Sequence, residues 1–255
     1  LSVLTVNQHN YITQATINRP KAHNAINFAV MDELEELLSD LETNNHSRCF
    51  ILRGSGDEAF ISGGDLREFH TIKTAKEAKP MAKRMRSILE RIEILPCWTI
   101  ACVNGAAYGG GCEIMLGFDF RIASSGATFG FTQGKFYLPP GWGGLTRLVE
   151  RVGRSTALRW LAETAIIDTD KALEHRLIDR ISTHNKLQEE TWKWAKDLCH
   201  NDRDYIKALK QGALRLTEAR WKAIEQELEP FAKFWEDERH QQRVKKFLNR
   251  KSGDN

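Results

Sequence analysis

Two glycine-bearing segments stand out as places where the backbone itself could do chemistry. In "YGGGCE", Tyr108 to Glu113, three glycines follow the strand-like "CWTIACVNG" and precede a helix start. Glycine lets another group approach the main chain closely. The first N–H groups of a helix have no intrahelical acceptor, so here they point together at one spot. Donors arranged in this way stabilise an oxyanion. Glu113 follows in the first turn, as a candidate proton carrier or simply as a carboxylate favoured by the helix dipole. A second turn, in "AFISGGDL", sets Gly63 and Gly64 before Asp65. Two such turns can supply two convergent donors. Neither has the Gly-Lys-Ser/Thr ending of a P-loop or the GxGxxG spacing of a dinucleotide site, which excludes nucleotide cradling by those routes. The later "ATFGFTQGKFYLPPGWGGLTRL" is dense in Gly, Pro and aromatics, the composition of a shaped wall suited to an apolar acyl group. Phe131 and Trp142 are its pocket candidates, with core packing as the competing role.

The elements that must hold these turns alternate between strand and helix. "YITQATINR" alternates like a half-buried strand that Pro20 ends, and Val30, Leu34, Leu37, Leu38 and Leu41 then fall at helical spacing. "RCFILRG" reads as a buried strand stopped by Gly54, and "SGDEAFISGGDL" as a glycine-bearing loop entering a helix. Met81, Met85, Ile88, Leu89 and Ile92 form another apolar stripe, ended at Pro96, and "CWTIACVNG" follows as a strand running directly into the triple glycine. "EIMLGFDFRIAS" passes from helix to strand. This alternation predicts an α/β fold. Strand signals cease after about Ser182; residues 186–250 read as helical, with Pro230 as the one hard break. Trp192, Trp194, Trp221 and Trp235 are assigned to helix and core packing, and "RHQQRVKKFLNRK" to a solvated basic face.

Bulk composition narrows the class. The 255 residues carry 37 Lys plus Arg against 34 Asp plus Glu, an excess of +3 that does not indicate nucleic acid. No apolar run approaches the roughly 20 residues of a membrane span, and the N-terminal segment lacks signal-peptide character. The expectation is a cytoplasmic protein; the missing initiator Met leaves a removed leader open. Cys49, Cys97, Cys102, Cys112 and Cys199 form no CxxC and read as buried free thiols, and the eight histidines form no metal motif. No bound metal is expected.

"INRPKAHNAI" (17 to 26), "AFISGGDL" (59 to 66), "VNGAAYGGGCEI" (103 to 114) and "FGFTQGKFYLPPGWGGLTRLVERVG" (129 to 153) occur in the order and spacing of the crotonase superfamily, the enoyl-CoA hydratases and isomerases, which the chain resembles over nearly its whole length. The resemblance implies a spiral of ββα units over 1–185 holding the acyl-CoA site. It also implies a helical C-terminal region, 186–255, that forms a homotrimer or a hexamer of two trimers. It places the thioester carbonyl between the N–H groups of Gly64 and Gly110, and coenzyme A contacts on Lys21 and Ala22 of "RPKAHN" and on Ser62 and Asp65. Lys245 or Lys246 would meet the 3′-phosphate. Coenzyme A then enters as part of the substrate, and no separate cofactor is implied. His23 and His70 are given contact or surface roles.

The sequence departs from the hydratase pattern at one catalytic position. Hydratases use two glutamates; the first corresponds to Glu113, but the second position holds Gln133, whose amide exchanges no proton at neutral pH. Isomerases also rely on a carboxylate there or nearby. Chemistry needing one proton carrier remains, and "GWGGLTRLVERVG" is similar to the ethylmalonyl-CoA decarboxylase branch. The leading expectation is decarboxylation of a 2-alkylmalonyl-CoA-like substrate. Hydration of a 2-enoyl-CoA is the alternative, and a non-catalytic acyl-CoA-binding protein the alternative of another class. Gln133 would hold water or a substrate carboxylate, or satisfy loop carbonyls.

Overall fold

The N-terminal hairpin pairs β1 (Leu4–His9) with β2 (Ile12–Ile17) through a turn at Asn10, whose φ is +51°. The computed structural model describes residues 2–44, 46–215 and 219–252. Strand β2 is buried almost throughout, not on one face as its alternation suggests. Its polar side chains are paired: Thr13 Oγ1 lies 2.7 Å from Ser47 Oγ, and Gln14 Oε1 accepts from Gln188 Nε2 at 2.7 Å and Trp192 Nε1 at 2.9 Å. The alternation therefore marks hydrogen-bonded burial, not exposure.

Helix α1 (Phe28–Thr43) starts where Asn27 accepts from the Val30 N–H, and its apolar stripe is buried. Strands β3 (Cys49–Gly54) and β4 (Ala59–Ile61) follow, the latter inside the segment read as a loop. Helices α2 (Leu66–Phe69) and α3 (Ala75–Ile94) come next, α3 opened by a Thr74–Glu77 capping box. Strand β5 (Trp98–Val103) does not run into the glycines. It ends before Asn104, and β6 (Ala106–Tyr108) belongs to a different sheet. The buried Asn104 makes the corner, accepting from Gly54 N–H and donating to the Gly56 and Ala59 carbonyls. After α4 (Gly110–Leu116) come β7 (Phe120–Ser124) and β8 (Thr128–Gly130), then α5 (Gly144–Val152) and α6 (Arg154–Ala162). Strand β9 (Ile166–Asp168), α7 (Thr169–Glu174) and β10 (Arg180–Ser182) close the sheets.

The six-stranded sheet runs β1-β2-β3-β5-β7-β10 and the four-stranded sheet β4-β6-β8-β9. Each pair β3/β4, β5/β6 and β7/β8 gives one strand to each sheet and advances one parallel position. This is a spiral of repeated units whose repetition lies in structure, with no matching sequence repeat.

The remaining helices are α8 (Leu187–Leu198), α9 (Arg203–Arg215), α10 (Ala219–Glu236) and α11 (Glu238–Ser252). Helix α8 packs on β5 and β7, burying Trp194 against Phe120. Helix α10 lies along α3 and α5 of the same chain. Pro230 is not a break: α10 runs through it, because Phe231, Ala232 and Trp235 beyond it are buried. The five cysteines are free and buried.

Pro230 gives α10 no N–H for the Gln226 carbonyl, and interior proline costs a helix about 3 kcal/mol. Pro230→Ala should raise the unfolding free energy by up to about that amount in urea titration. An unchanged midpoint would show that the helix is already relaxed around the ring.

Candidate active site

The two glycine turns lie at the ends of neighbouring parallel strands. Ala59 and Ile61 of β4 pair with Ala106 and Ala107 of β6, so the chains leaving them emerge side by side. Gly63 and Gly109 sit at φ +113° and +52°, where a β-carbon would be strained. The first turn is pinned to Ile26, whose N–H donates to the Gly63 carbonyl at 2.9 Å and whose carbonyl accepts from Asp65 N–H at 2.7 Å. Between those bonds the Gly64 N–H is left over; Gly110 is the first residue of α4. Neither N–H meets an acceptor among the described residues. The Trp142 indole packs over both turns: a β-carbon on Gly110 would lie 2.2 Å from its Cζ3, and one on Gly64 3.6 Å from its Cζ2.

Glu113, 4% exposed, faces this space from α4. Its Oε2 accepts from the Trp142 N–H at 2.8 Å and the Gly144 N–H at 3.0 Å, and its Oε1 from Gln133 Nε2 at 3.2 Å. Burial pushes the carboxyl up to about 7, against the stabilising N–H of Trp142 and reinforced by the nearby Glu227 carboxylate. With Oε2 committed to two donors, a proton on this group sits on Oε1. The carboxyl can therefore exchange a proton with a bound molecule near neutral pH.

The turn holding Glu113 is itself held. The buried Arg147 donates through Nη1 to the Trp142 and Gly143 carbonyls at 2.9 and 3.2 Å. Its Nε and Nη2 pair with Glu93 of α3 at 3.0 and 2.7 Å, and Arg220 of α10 reaches the same Glu93 at 2.7 Å. Glu227 of α10 accepts from the Leu145 and Thr146 N–H groups at the start of α5. None of these residues stood out in the sequence; their partners lie far along the chain.

Ser62, Gly64, Gly110, Glu113, Gln133 and Trp142 line one cavity of about 100 Å³. Its apolar walls add Phe69, Met81, Leu138, Phe231 and Trp235, so Trp235 is a pocket residue as well as a packed one. Phe131 is elsewhere. Its side chain turns into the core and stacks on Trp160 at 5.6 Å, because β8 is continued by Phe131 N–H donating to the Ala165 carbonyl. A contiguous cavity, sharing Ser62, Gly64 and Leu66, is lined by Lys21, Ala22, His23, Asp65 and Phe247. The Asp65 carboxylate there is engaged: it caps α2 and pairs with Arg19 at 2.7 Å. Lys245 and Lys246 lie with Gln242, Asn249 and Arg250 in a groove along α11, and His70 lies with Lys73 and Lys245 in another.

A family model described as "Enoyl-CoA hydratase/isomerase" matches residues 7–254. The chain belongs to the enoyl-CoA hydratase/isomerase family. It is a crotonase-superfamily enzyme, with the fold expected from the motifs. It is 33% identical over 204 residues to a short-chain-enoyl-CoA hydratase of Clostridium acetobutylicum, covering 80% of this chain and 78% of that one. It is 32% identical over 229 residues to an ethylmalonyl-CoA decarboxylase of Xenopus tropicalis, covering 89% and 76%. Among solved structures, an enoyl-CoA hydratase of Bacillus anthracis superposes with TM-score 0.80 at 26% identity over 88% of this chain and 90% of that one. One of Bacillus halodurans superposes with TM-score 0.89 over 96% and 100%, at 23% identity, a likeness of fold alone. No helix among the described residues is long and apolar enough to cross a membrane.

Two predictions follow from the held carboxyl. A folded value of about 7 against an ordinary 4.5 favours the protonated form in the fold. Its contribution is full below about 4.5, is lost as pH rises through 7, and amounts to about 3 kcal/mol. The stability difference between wild type and Glu113→Gln, measured by urea unfolding, should change by about that much across the window. A constant difference would place the Glu113 titration near its ordinary value. Arg147→Met, which strands Glu93 and frees the turn, should cost about 3–5 kcal/mol. A loss below about 1 kcal/mol would remove Arg147 as the turn's anchor.

Proposed function

We propose that the enzyme decarboxylates a 2-alkylmalonyl-CoA-like thioester, with Glu113 as the single proton carrier. The observation that carries this reading is the pairing of one buried, protonatable carboxyl with a neutral amide, Glu113 with Gln133, inside a mostly apolar wall that holds no other titratable side chain among the described residues. The bond between Cα and the substrate carboxylate breaks, CO₂ leaves, and the electron pair passes through Cα onto the thioester oxygen. The N–H groups of Gly64 and Gly110 receive that oxyanion; a donor in this role is worth about 3 kcal/mol in enzymes where one has been removed. Glu113 then gives its Oε1 proton to Cα and is reprotonated by water. A neutral Glu113 does not repel the incoming carboxylate, whereas a second glutamate in place of Gln133 would.

Coenzyme A would enter as part of the substrate and extend along the cavity lined by Lys21, Ala22 and Ser62. An apolar cavity of about 150 Å³ takes benzene, so one of about 100 Å³ suits an acyl chain of about four carbons. The likeness to the Xenopus tropicalis decarboxylase supports the reading. The likeness to the Clostridium acetobutylicum hydratase supports a second one, hydration of a short 2-enoyl-CoA with ionised Glu113 as the base.

Incubation with 2-alkylmalonyl-CoA and 2-enoyl-CoA esters, followed by mass, separates the two through loss of CO₂ or gain of water. The pH profile gives an independent sign. As an acid, Glu113 must be protonated, so kcat/KM should fall about tenfold per unit above pH 7; as a base it would fall below pH 7 instead. Glu113→Gln should keep binding the ester while losing turnover. Undiminished turnover in that variant would take Glu113 out of the mechanism.

A further inference from the structure

We propose that the Gln133 side-chain amide recognises the substrate carboxylate, and that it does so in a rotated orientation available only when Glu113 carries its proton. This rests on the decarboxylase reading and deepens it.

The starting observation is an unmet acceptor. Gln133 is 8% exposed and lines the cavity; its Nε2 donates to Glu113 Oε1, while its Oε1 is buried without a partner among the described residues. Leaving such a group unpaired costs about 1–3 kcal/mol. The orientation suits an ionised Glu113, which can only accept. With Nε2 turned to Glu113, the amide carbonyl is the end of Gln133 left without a partner among the described residues, and a carboxylate would avoid it.

Protonation reverses both halves of the pair. Oε2 of Glu113 is held by the Trp142 and Gly144 N–H groups, so the proton goes on Oε1, facing Gln133. A half-turn of the amide about its last torsion lets Glu113 Oε1–H donate to Gln133 Oε1. The –NH₂ then takes the place of the unpartnered oxygen and offers N–H to the carboxylate of a substrate in the cavity that Gln133 lines. The orphaned acceptor is satisfied, and the pocket gains the donor that an acidic acyl group needs. Proton delivery and carboxylate recognition become one event: the site accepts its anionic substrate in the state that can later protonate the enolate.

The charged groups around the pair are consistent with this coupling. Glu227 on α10 disfavours negative charge on Glu113, while burial and the Glu113 carboxylate keep the neighbouring Cys112 thiol on α4 neutral, so that it adds no charge to the pair. Arg147 of α5 is committed to Glu93 of α3 and to the Trp142 and Gly143 carbonyls, and Arg220 of α10 to Glu93. None of these cations lines the cavity; its side-chain donors include the Gln133 amide and the hydroxyls of Ser62 and Thr132, and of these the amide is the one bonded to Glu113.

The test uses two unreactive thioethers of coenzyme A. S-(2-carboxybutyl)-CoA has a methylene in place of the thioester carbonyl and cannot lose CO₂; S-butyl-CoA lacks the carboxylate. Calorimetry in buffers of different ionisation enthalpy should show the wild type taking up about one proton with the carboxylated thioether above pH 7, and none with S-butyl-CoA. Gln133→Leu should lose about 10- to 100-fold in affinity for the carboxylated ligand, the size of one hydrogen bond to a charge, and keep S-butyl-CoA binding. Glu113→Gln mimics the protonated state, since its –NH₂ donates to Gln133 Oε1. It should bind the carboxylated thioether with an affinity that no longer varies with pH. The inference is overturned if the wild type takes up no proton, if Gln133→Leu leaves the ratio of the two affinities unchanged, or if Glu113→Gln keeps the wild-type pH dependence. CO₂ release from 2-alkylmalonyl-CoA tests the decarboxylase reading separately. Release without proton-linked binding sinks this inference alone, and proton-linked carboxylate binding without release sinks only the reaction.

Discussion

Two backbone N–H groups, from Trp142 and Gly144, meet one oxygen of a carboxyl that has almost no access to water, and the rest of the site is arranged around keeping them there. An ionised carboxylate in an apolar interior is strongly disfavoured unless donors surround it. The donors in turn need their own plane fixed. Arg147 does this from behind by holding the carbonyls of Trp142 and Gly143; the Gly143 carbonyl shares its peptide plane with the Gly144 N–H, which is thereby aimed at Glu113. Arg147 is a buried cation and needs an anion, supplied by Glu93; Glu93 is shared with Arg220, which reaches Glu150 toward solvent. The carboxyl thus stands at the inner end of a chain of alternating charges linking α3, α5 and α10, and breaking any inner link leaves an uncompensated charge.

The convergence of the two glycine turns comes from strand register. Each step of the spiral leaves one short strand in the four-stranded sheet, and β4 and β6 are parallel neighbours there. Whatever follows them must emerge side by side. Among the described residues the N–H of Gly64 has no acceptor because its neighbours bond to Ile26, and that of Gly110 has none because it opens a helix. Two unrelated local reasons therefore leave two donors unpaired at adjacent strand ends.

This division explains what the sequence made legible. Alternation of strand and helix, the glycines, Glu113 and Gln133 are local features, readable from residue type and near neighbours. The direction of Phe131 is not local: it depends on β8 extending to meet Ala165, which turns the ring toward Trp160. Pro230 looks like a stop because helix propensity is local, while the packing of Phe231 and Trp235 that carries α10 through it is not. The break at Asn104 was hidden because an apolar run reads as one strand whether it stays in a sheet or crosses to the next. Arg147 and Glu93 lie on separate helices, and nothing in either stretch marks a buried pair.

The C-terminal helices do more than flank the spiral, since Phe231 and Trp235 of α10 wall the same cavity as Glu113. Their contribution can be read in the carboxyl itself. Full burial without donors takes a carboxyl to about 8–9, and a carboxylate accepting several backbone N–H groups falls below about 2. Glu113 stands at about 7 because its dry apolar cover, with Glu227 adding to it, is set against the donors on its two oxygens, the Trp142 and Gly144 N–H groups and the Gln133 amide. A more open roof would lower the value toward that of an ordinary carboxylate, and a bare pocket would raise it until the group seldom ionised. A proton carrier works best when its value lies near the working pH. The turn at Trp142 and the roof formed by α10 are thus two opposing settings of one quantity. Gln133, bonded to the other oxygen, is placed to respond to it.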